Sequence, residues 1–168
     1  MSSSPAFERE LTELLPRLRR FAHALSRNGA DADDLTQATV ERALRSRDQW
    51  QPGTRLDSWL YRIMRNLWID TVRSRGRREN REAPEEEALT VGDDPRDALE
   101  ASLELKRAMA AMERLPDEQR EVVALILIEG FSYREVSEML DLPIGTVSSR
   151  LVRGRTALLA MLGGNADD

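Results

Sequence analysis

Apolar residues recur along this chain at intervals of three and four, the period of helices with one buried face. Phe7, Leu11, Leu14, Leu15, Leu18, Phe21, Ala22 and Leu25 set out the first stripe, and His23 falls among its core-facing positions. Pro16 interrupts that stripe, and a proline is best tolerated in a helix's first turn. The pattern therefore predicts a short helix and then a second beginning at Pro16, ended by Asn28-Gly29. The next helix opens at Asp31-Ala-Asp-Asp34, where acids suit a helix N-terminus, and runs to about Arg47. After the loop Gln51-Pro-Gly-Thr-Arg-Leu56, Asp57 is placed to cap a long helix. In that helix Leu60, Ile63, Met64, Leu67 and Thr71 form one buried stripe.

Periodicity then lapses. An arginine-rich stretch, Arg73 to Arg81, gives way to Glu82–Asp97, with Pro84, Glu85-Glu-Glu87 and Gly92-Asp-Asp-Pro95. That composition predicts an acidic flexible linker. Helical pattern resumes over Ala98–Met112, and Leu115-Pro116 starts another helix that continues through Ile128, with Gly130 placed to end it. Two more helices follow, Ser132–Leu140 and about Ile144–Leu162, and no strand pattern occurs anywhere. The predicted fold class is all-α: two small helical domains, residues 1–82 and 106–168, joined by a linker over 83–105. The final helix pair has helix-turn-helix proportions. Val136, Met139 and Leu140 face inward from its first helix, Asp141-Leu-Pro143 makes the turn, and Val147, Leu151, Leu158 and Met161 face inward from its second.

Composition removes whole classes of chemistry. The 168 residues include no cysteine, so disulfides, thiol catalysis and most structural zinc arrangements are excluded. One histidine, His23, cannot form a His cluster for a metal, and no metal or cofactor is expected. Met1-Ser-Ser-Ser-Pro5 lacks the basic start and apolar run of a signal peptide, and the longest apolar stretch, Val122–Ile128, is too short to span a bilayer. The expected location is the cytoplasm.

The net charge of −5 by itself disfavours nucleic acid, but the charge is unevenly spread. Residues 1–82 carry sixteen Arg against twelve acids, a balance of +4. Residues 83–113 carry three basic and nine acidic residues, a balance of −6. Every basic residue except Lys106 is Arg, the side chain suited to bidentate phosphate and base contacts. Such a chain would meet DNA at chosen faces.

Three sets of residues stand out as candidate contact surfaces, two of them for DNA. In the last helix Thr146, Ser148, Ser149, Arg150 and Arg153 lie on the outer arc, with Arg155 nearer the buried stripe. Hydroxyls beside Arg in the N-terminal half of a second helix suit major-groove readout. An ordinary helical hairpin with a solvated Arg face fits the same pattern. In the first domain Trp50, Trp59, Tyr61 and Trp68 fall within nineteen residues, interleaved with Arg55, Arg62, Arg65 and Arg73. Aromatic and Arg groups together suit unstacked single-stranded DNA, although Trp59 and Trp68 also fit a core. Arg62, Arg65, Asn66, Ile69 and Arg73 share one helix face, preceded by a Gly-containing loop that carries Thr54. The third set is a polar stripe, Asp34, Gln37, Glu41, Arg45 and Asp48, which is either solvated surface or a docking face.

Several longer motifs stand in one order: Asp31-Ala-Asp-Asp-Leu-Thr-Gln37; Ser58-Trp-Leu-Tyr-Arg-Ile-Met-Arg-Asn66 with Asp70 and Arg73; and Leu115-Pro116 with Gly145-Thr-Val-Ser-Ser-Arg150 and Arg153. Together they resemble the bacterial RNA polymerase sigma factors of the extracytoplasmic-function type, over roughly residues 6–81 and 106–162. The resemblance implies a non-catalytic subunit that binds core RNA polymerase at its clamp helices and flap, and directs promoter-specific initiation in a stress or envelope response. Asp34, Gln37, Glu41 and Leu44 would dock on the polymerase. Trp50, Thr54, Arg55, Arg62, Arg65, Asn66 and Arg73 would open and read the minus-ten element. Thr146, Ser148, Ser149, Arg150, Arg153 and Arg155 would read the minus-thirty-five element. An anti-sigma factor is a further implied partner, and membrane insertion is not expected. Departures from the family pattern are Ala38, where Glu is frequent, Met64, where Ala is usual, and Ser148, where Lys or Arg is frequent. A sigma-mimicking decoy that sequesters an anti-sigma factor is the alternative.

Overall fold

The computed structural model describes residues 5–79 and 99–163, and within those residues every regular element is helical. The chain divides into two compact units at residues 91 and 92.

The first unit consists of α1 (Pro5–Ser26), α2 (Gly29–Arg45), one 3₁₀ turn (Arg47–Gln49) and α3 (Leu56–Glu79), with each α-helix packed on the other two. Its core joins Phe7, Leu11, Leu18, Phe21, Ala22 and Leu25 of α1, Ala32, Leu35 and Ala43 of α2, and Leu56, Leu60, Tyr61 and Met64 of α3. Thr36 and Thr39 are buried among them. Their hydroxyls donate to the carbonyls of Ala32 and Leu35, both at 2.7 Å, so neither polar group is left unpaired.

α1 is one helix, not the two expected from Pro16. Both Pro16 and Thr12, whose carbonyl loses its helical donor at the proline, lie on the exposed face, where water can replace the missing bond. His23 is half-buried and lies on the side of α1 away from Phe21 and Leu25, not among the core-facing positions. Asn28 caps the following helix: its Oδ1 accepts from the Asp31 amide at 3.1 Å. α2 thus starts two residues before the expected Asp31 and stops at Arg45 instead of about Arg47. Asp57 does not cap α3. The helix begins at Leu56, and the Asp57 carboxylate is engaged by arginines described below. Of the stripe expected in α3, Leu60 and Met64 are buried and Ile63, Leu67 and Thr71 half-buried.

The second unit contains α4 (Leu99–Glu113), α5 (Asp117–Val123) running into a π-helical turn (Ala124–Ile128), α6 (Tyr133–Leu140) and α7 (Ile144–Gly163). α7 packs on α4, α5 and α6. Val122, Val123, Leu125, Phe131, Val136, Met139, Leu140, Val147 and Leu151 make its centre. α4 begins at Leu99, where helical pattern was expected to resume at Ala98; residues 80–98, most of the expected linker, lie outside the described residues.

Arg120 is almost fully buried and donates to the Leu115 carbonyl at 2.8 Å and to Asp117 at 2.6 Å, closing the α4–α5 corner. The wide turn after α5 is closed by the Glu129 amide on the Ala124 carbonyl, and Gly130 (φ +77°) takes the left-handed conformation that ends a helix. Ser132 and Glu135 form a reciprocal capping box at the start of α6. Asp141 (φ 54°) turns the chain, Leu142 donates to the Ser137 carbonyl, and the Pro143 carbonyl accepts from Thr146 and Val147 as α7 begins.

Candidate nucleic-acid and polymerase interface

α2 carries the polar stripe. Its positions 35, 39 and 43 are buried against the first unit's core, which turns Asp34, Gln37, Glu41 and Leu44 outward. All four are exposed; Leu44 keeps 43% of its surface open, an apolar group beside three polar ones. Gln37 Nε2 donates to Glu41 Oε1 at 3.5 Å, a long bond that holds the stripe only loosely. Arg45 and Asp48 are exposed as well.

The loop before α3 has a rigid base and an open tip. Trp50 is half-buried at the base, its ring 5.6 Å from that of Phe7, which also meets Trp59 at 6.3 Å. Gln51, Pro52, Gly53 and Thr54 are exposed. Gly53 has φ +91°, and both the amide and the hydroxyl of Thr54 donate to the Gln51 carbonyl, closing the tip into a turn.

Arg55 leaves that turn and places its guanidinium on Asp57, Nε to Oδ1 at 3.1 Å and Nη2 to Oδ2 at 2.9 Å. Asp57 is largely buried. Burial raises its pKa, but hydrogen bonds from Arg55 and the Ser58 amide, with the charges of Arg55 and Arg17, outweigh that and hold it below the usual carboxylate value.

Beyond the loop, Arg62, Asn66 and Arg73 are exposed on one face of α3, flanked by half-buried Arg65 and Ile69. Tyr61 belongs to the core, edge-on to Phe21 at 4.8 Å, so it takes no part in an aromatic surface. Trp68 is half-buried under Arg75, whose guanidinium lies 5.7 Å from the ring centroid. Arg75 also makes a bidentate pair with Asp31, at 2.6 and 2.8 Å. It joins the end of α3 to the start of α2, which its place in an arginine-rich run did not signal.

α7 presents its expected residues on two flanks. Val147 and Leu151 are buried, as is Gly154 seven residues beyond Val147. Thr146, Ser149, Arg150 and Arg153 lie along one side of that inner line, and Ser148, Val152 and Arg155 along the other, at helical spacing. Arg153 and Arg155 are exposed. Arg150 is half-buried and faces Glu118 at 3.7 Å, while the Ser149 hydroxyl donates to the Gly145 carbonyl. Ile144, 50% exposed at the first position of α7, is an apolar surface residue that the periodicity reading did not single out. Its signal was its place next to Pro143. Among the described residues no group of three or more His, Asp or Glu is placed to hold a metal ion, and no helix is long and apolar enough to cross a membrane.

An exposed polar helix face, a turn beside a basic helix and a helix-turn-helix are surfaces of a kind that a helical DNA-binding protein presents. Residues 11–78 match sigma-70 region 2 and residues 105–158 match sigma-70 region 4. The chain is 40% identical to the ECF RNA polymerase sigma factor EcfG of Rhodopseudomonas palustris, covering 91% of this chain and 83% of that protein. It is 33% identical to the ECF sigma factor SigW of Bacillus subtilis, covering 87% of this chain and 83% of that one. The sigma factor RpoE of Bartonella quintana, solved with the anti-sigma factor NepR, superposes with a TM-score of 0.83 at 32% identity, over 97% of this chain and 99% of that one. The chain belongs to the extracytoplasmic-function sigma factors of bacterial RNA polymerase, the subunits that give the polymerase its promoter specificity.

Proposed function

We propose that the two units divide promoter recognition between them. The outer face of α2, with Asp34, Gln37, Glu41 and Leu44, docks on the clamp of core RNA polymerase. The Trp50–Arg55 loop and the basic face of α3, with Arg62, Arg65, Asn66 and Arg73, separate the minus-ten element and read it as single strand. The exposed turn at Thr54 is where an unstacked base is held. α7 enters the major groove at the minus-thirty-five element, with Thr146, Ser148, Ser149, Arg150, Arg153 and Arg155 on its two flanks. The second unit also meets the polymerase flap. The protein itself catalyses no reaction, acts in the cytoplasm in a stress or envelope response, and is held in check by an anti-sigma factor.

The observation that carries this reading is that each matched region presents an exposed face: region 2 its loop and basic helix, region 4 its helix-turn-helix. Runoff transcription with purified core polymerase tests it. Promoter-dependent transcripts that appear only when the chain is added are the expected result. Capture of an anti-sigma factor with no core binding and no transcripts would make the protein a decoy instead.

A further inference from the structure

The carboxylate of Asp57 accepts four hydrogen bonds from three residues, two of them its near neighbours. Oδ1 takes Arg55 Nε at 3.1 Å and the Ser58 amide at 2.8 Å; Oδ2 takes Arg55 Nη2 at 2.9 Å and Arg17 Nη1 at 3.3 Å. Arg17 comes from the middle of α1, forty residues away, and lies 5.7 Å from the ring of core Tyr61. The Asp57 side chain is 11% exposed, against 31% for Arg17 and 51% for Arg55. A buried carboxylate thus sits where the loop leaves its turn and the long helix begins, bridged to a second helix. The turn has few other fixed points, since Gln51–Thr54 are exposed and closed mainly on themselves.

We propose that Asp57 is a positioning residue for minus-ten recognition: through Arg55 and Arg17 it fixes the exit of the Gln51–Arg55 turn against α1, and so sets where the turn presents Thr54 to DNA. Arg55, with its charge directed onto Asp57, acts within this bridge and not as a phosphate contact. A bidentate guanidinium–carboxylate pair fixes angle as well as distance, which is what a reader of single bases requires, and its effect is on selectivity more than on affinity. The proposal rests on the loop being the minus-ten reader.

The test uses holoenzyme reconstituted with full-length chain and a promoter library randomised separately at the minus-ten and minus-thirty-five elements. D57N, which keeps the shape and loses the charge, is expected to flatten minus-ten base preference about five- to ten-fold, the span of a coupling near 1–1.4 kcal/mol, and to leave minus-thirty-five preference within two-fold. R55Q, on a half-exposed side chain, is expected to match it, and the double variant to be no worse than either single one, as for two members of one bridge. The salt dependence of open-complex stability is expected to be unchanged in R55Q. A drop of nearly one in its slope would mark a lost phosphate contact and overturn the proposal, as would additive effects of D57N and R55Q, or unchanged minus-ten preference in R55Q. R55Q decides the matter if D57N does not fold. Exchanging Gln51–Thr54 for another sigma factor's loop checks the underlying reading: if minus-ten preference stays constant under that exchange, the loop is not the reader, whatever Asp57 does.

Discussion

Gly154 lies so close to Val123 that a Cβ at position 154 would stand 2.7 Å from the valine Cγ2, with Gln119 Cβ at 3.4 Å and its carbonyl at 3.5 Å. α7 therefore presses on α5 at a point where only hydrogen fits. Val123 is buried and β-branched, so it has little freedom to turn aside. Gly154→Ala is expected to destabilise the second unit by about 1–2 kcal/mol. Overpacking costs about 1–3 kcal/mol, and the better helix propensity of Ala returns up to about 1 kcal/mol. Urea denaturation measures this. Combining it with Val123→Ala should cost less than the two changes added, because the second removes the clashing methyl; strict additivity would show that the close approach is not the cause.

The α2 face can be tested without touching the core. Asp34→Ala and Gln37→Ala remove exposed side chains, so stability should change by no more than ~0.5 kcal/mol. Each should lower affinity for core polymerase, measured by competition with the unaltered chain. Equal competition by both variants would return this face to ordinary surface.

On α7 the arginines should differ. Arg153 is exposed on the flank of Thr146 and Ser149, whereas Arg150 on the same flank is half-buried and already faces Glu118. Arg153→Ala is expected to cause the larger loss at the minus-thirty-five element. If Arg153 contacts a base, ~1–3 kcal/mol of discrimination disappears; if it contacts phosphate, affinity falls evenly and the salt slope drops by about one. Holoenzyme binding to cognate and scrambled upstream elements at several salt concentrations distinguishes these results. No change in affinity, selectivity or slope for either arginine variant would remove α7 from the recognition surface.

The Asp31–Arg75 bridge predicts a pH signature. The hydrogen bond from Arg75 lowers the Asp31 pKa; partial burial opposes it and the guanidinium charge adds to it. A carboxylate whose folded pKa is depressed adds stability above its unfolded value, ~3.9, and loses it as pH falls through the folded value. Asp31→Asn should therefore cost about 0.5–1 kcal/mol at neutral pH, modest because Arg75 is 44% exposed and screened. The gap between variant and unaltered chain should close below about pH 4. A gap that persists at pH 2 would point to lost packing rather than lost charge.

Much of this protein was legible from periodicity. Helix count in the second unit, the helix-turn-helix, the inward positions Val136, Met139, Leu140, Val147 and Leu151, and the outward stripe on α2 all follow from which residues must leave water, which a 3.6-residue repeat reveals directly. Local rules misled where the surroundings outweighed them. Pro16 did not divide α1, because its face is solvated and buried residues on both sides of it, Phe7 and Leu11 before and Leu18 and Phe21 after, keep the helix in the core. Asp57 has the look of a cap residue but is claimed by two arginines, one of them forty residues earlier. Which arginines are taken up by the fold has no local signature either. Arg55 and Arg75 bind acids of the fold while staying exposed, as Arg73 and Arg153 are, and Arg120 is buried on a carbonyl; nothing in their immediate sequence separates these roles. A guanidinium's role depends on what lies within about 3 Å of it, and for Arg17 and Arg75 that neighbour is brought in from another helix by tertiary packing. Helices and their buried faces follow from the chain's own apolar repeat, whereas the pairing of charges follows from which helices pack together.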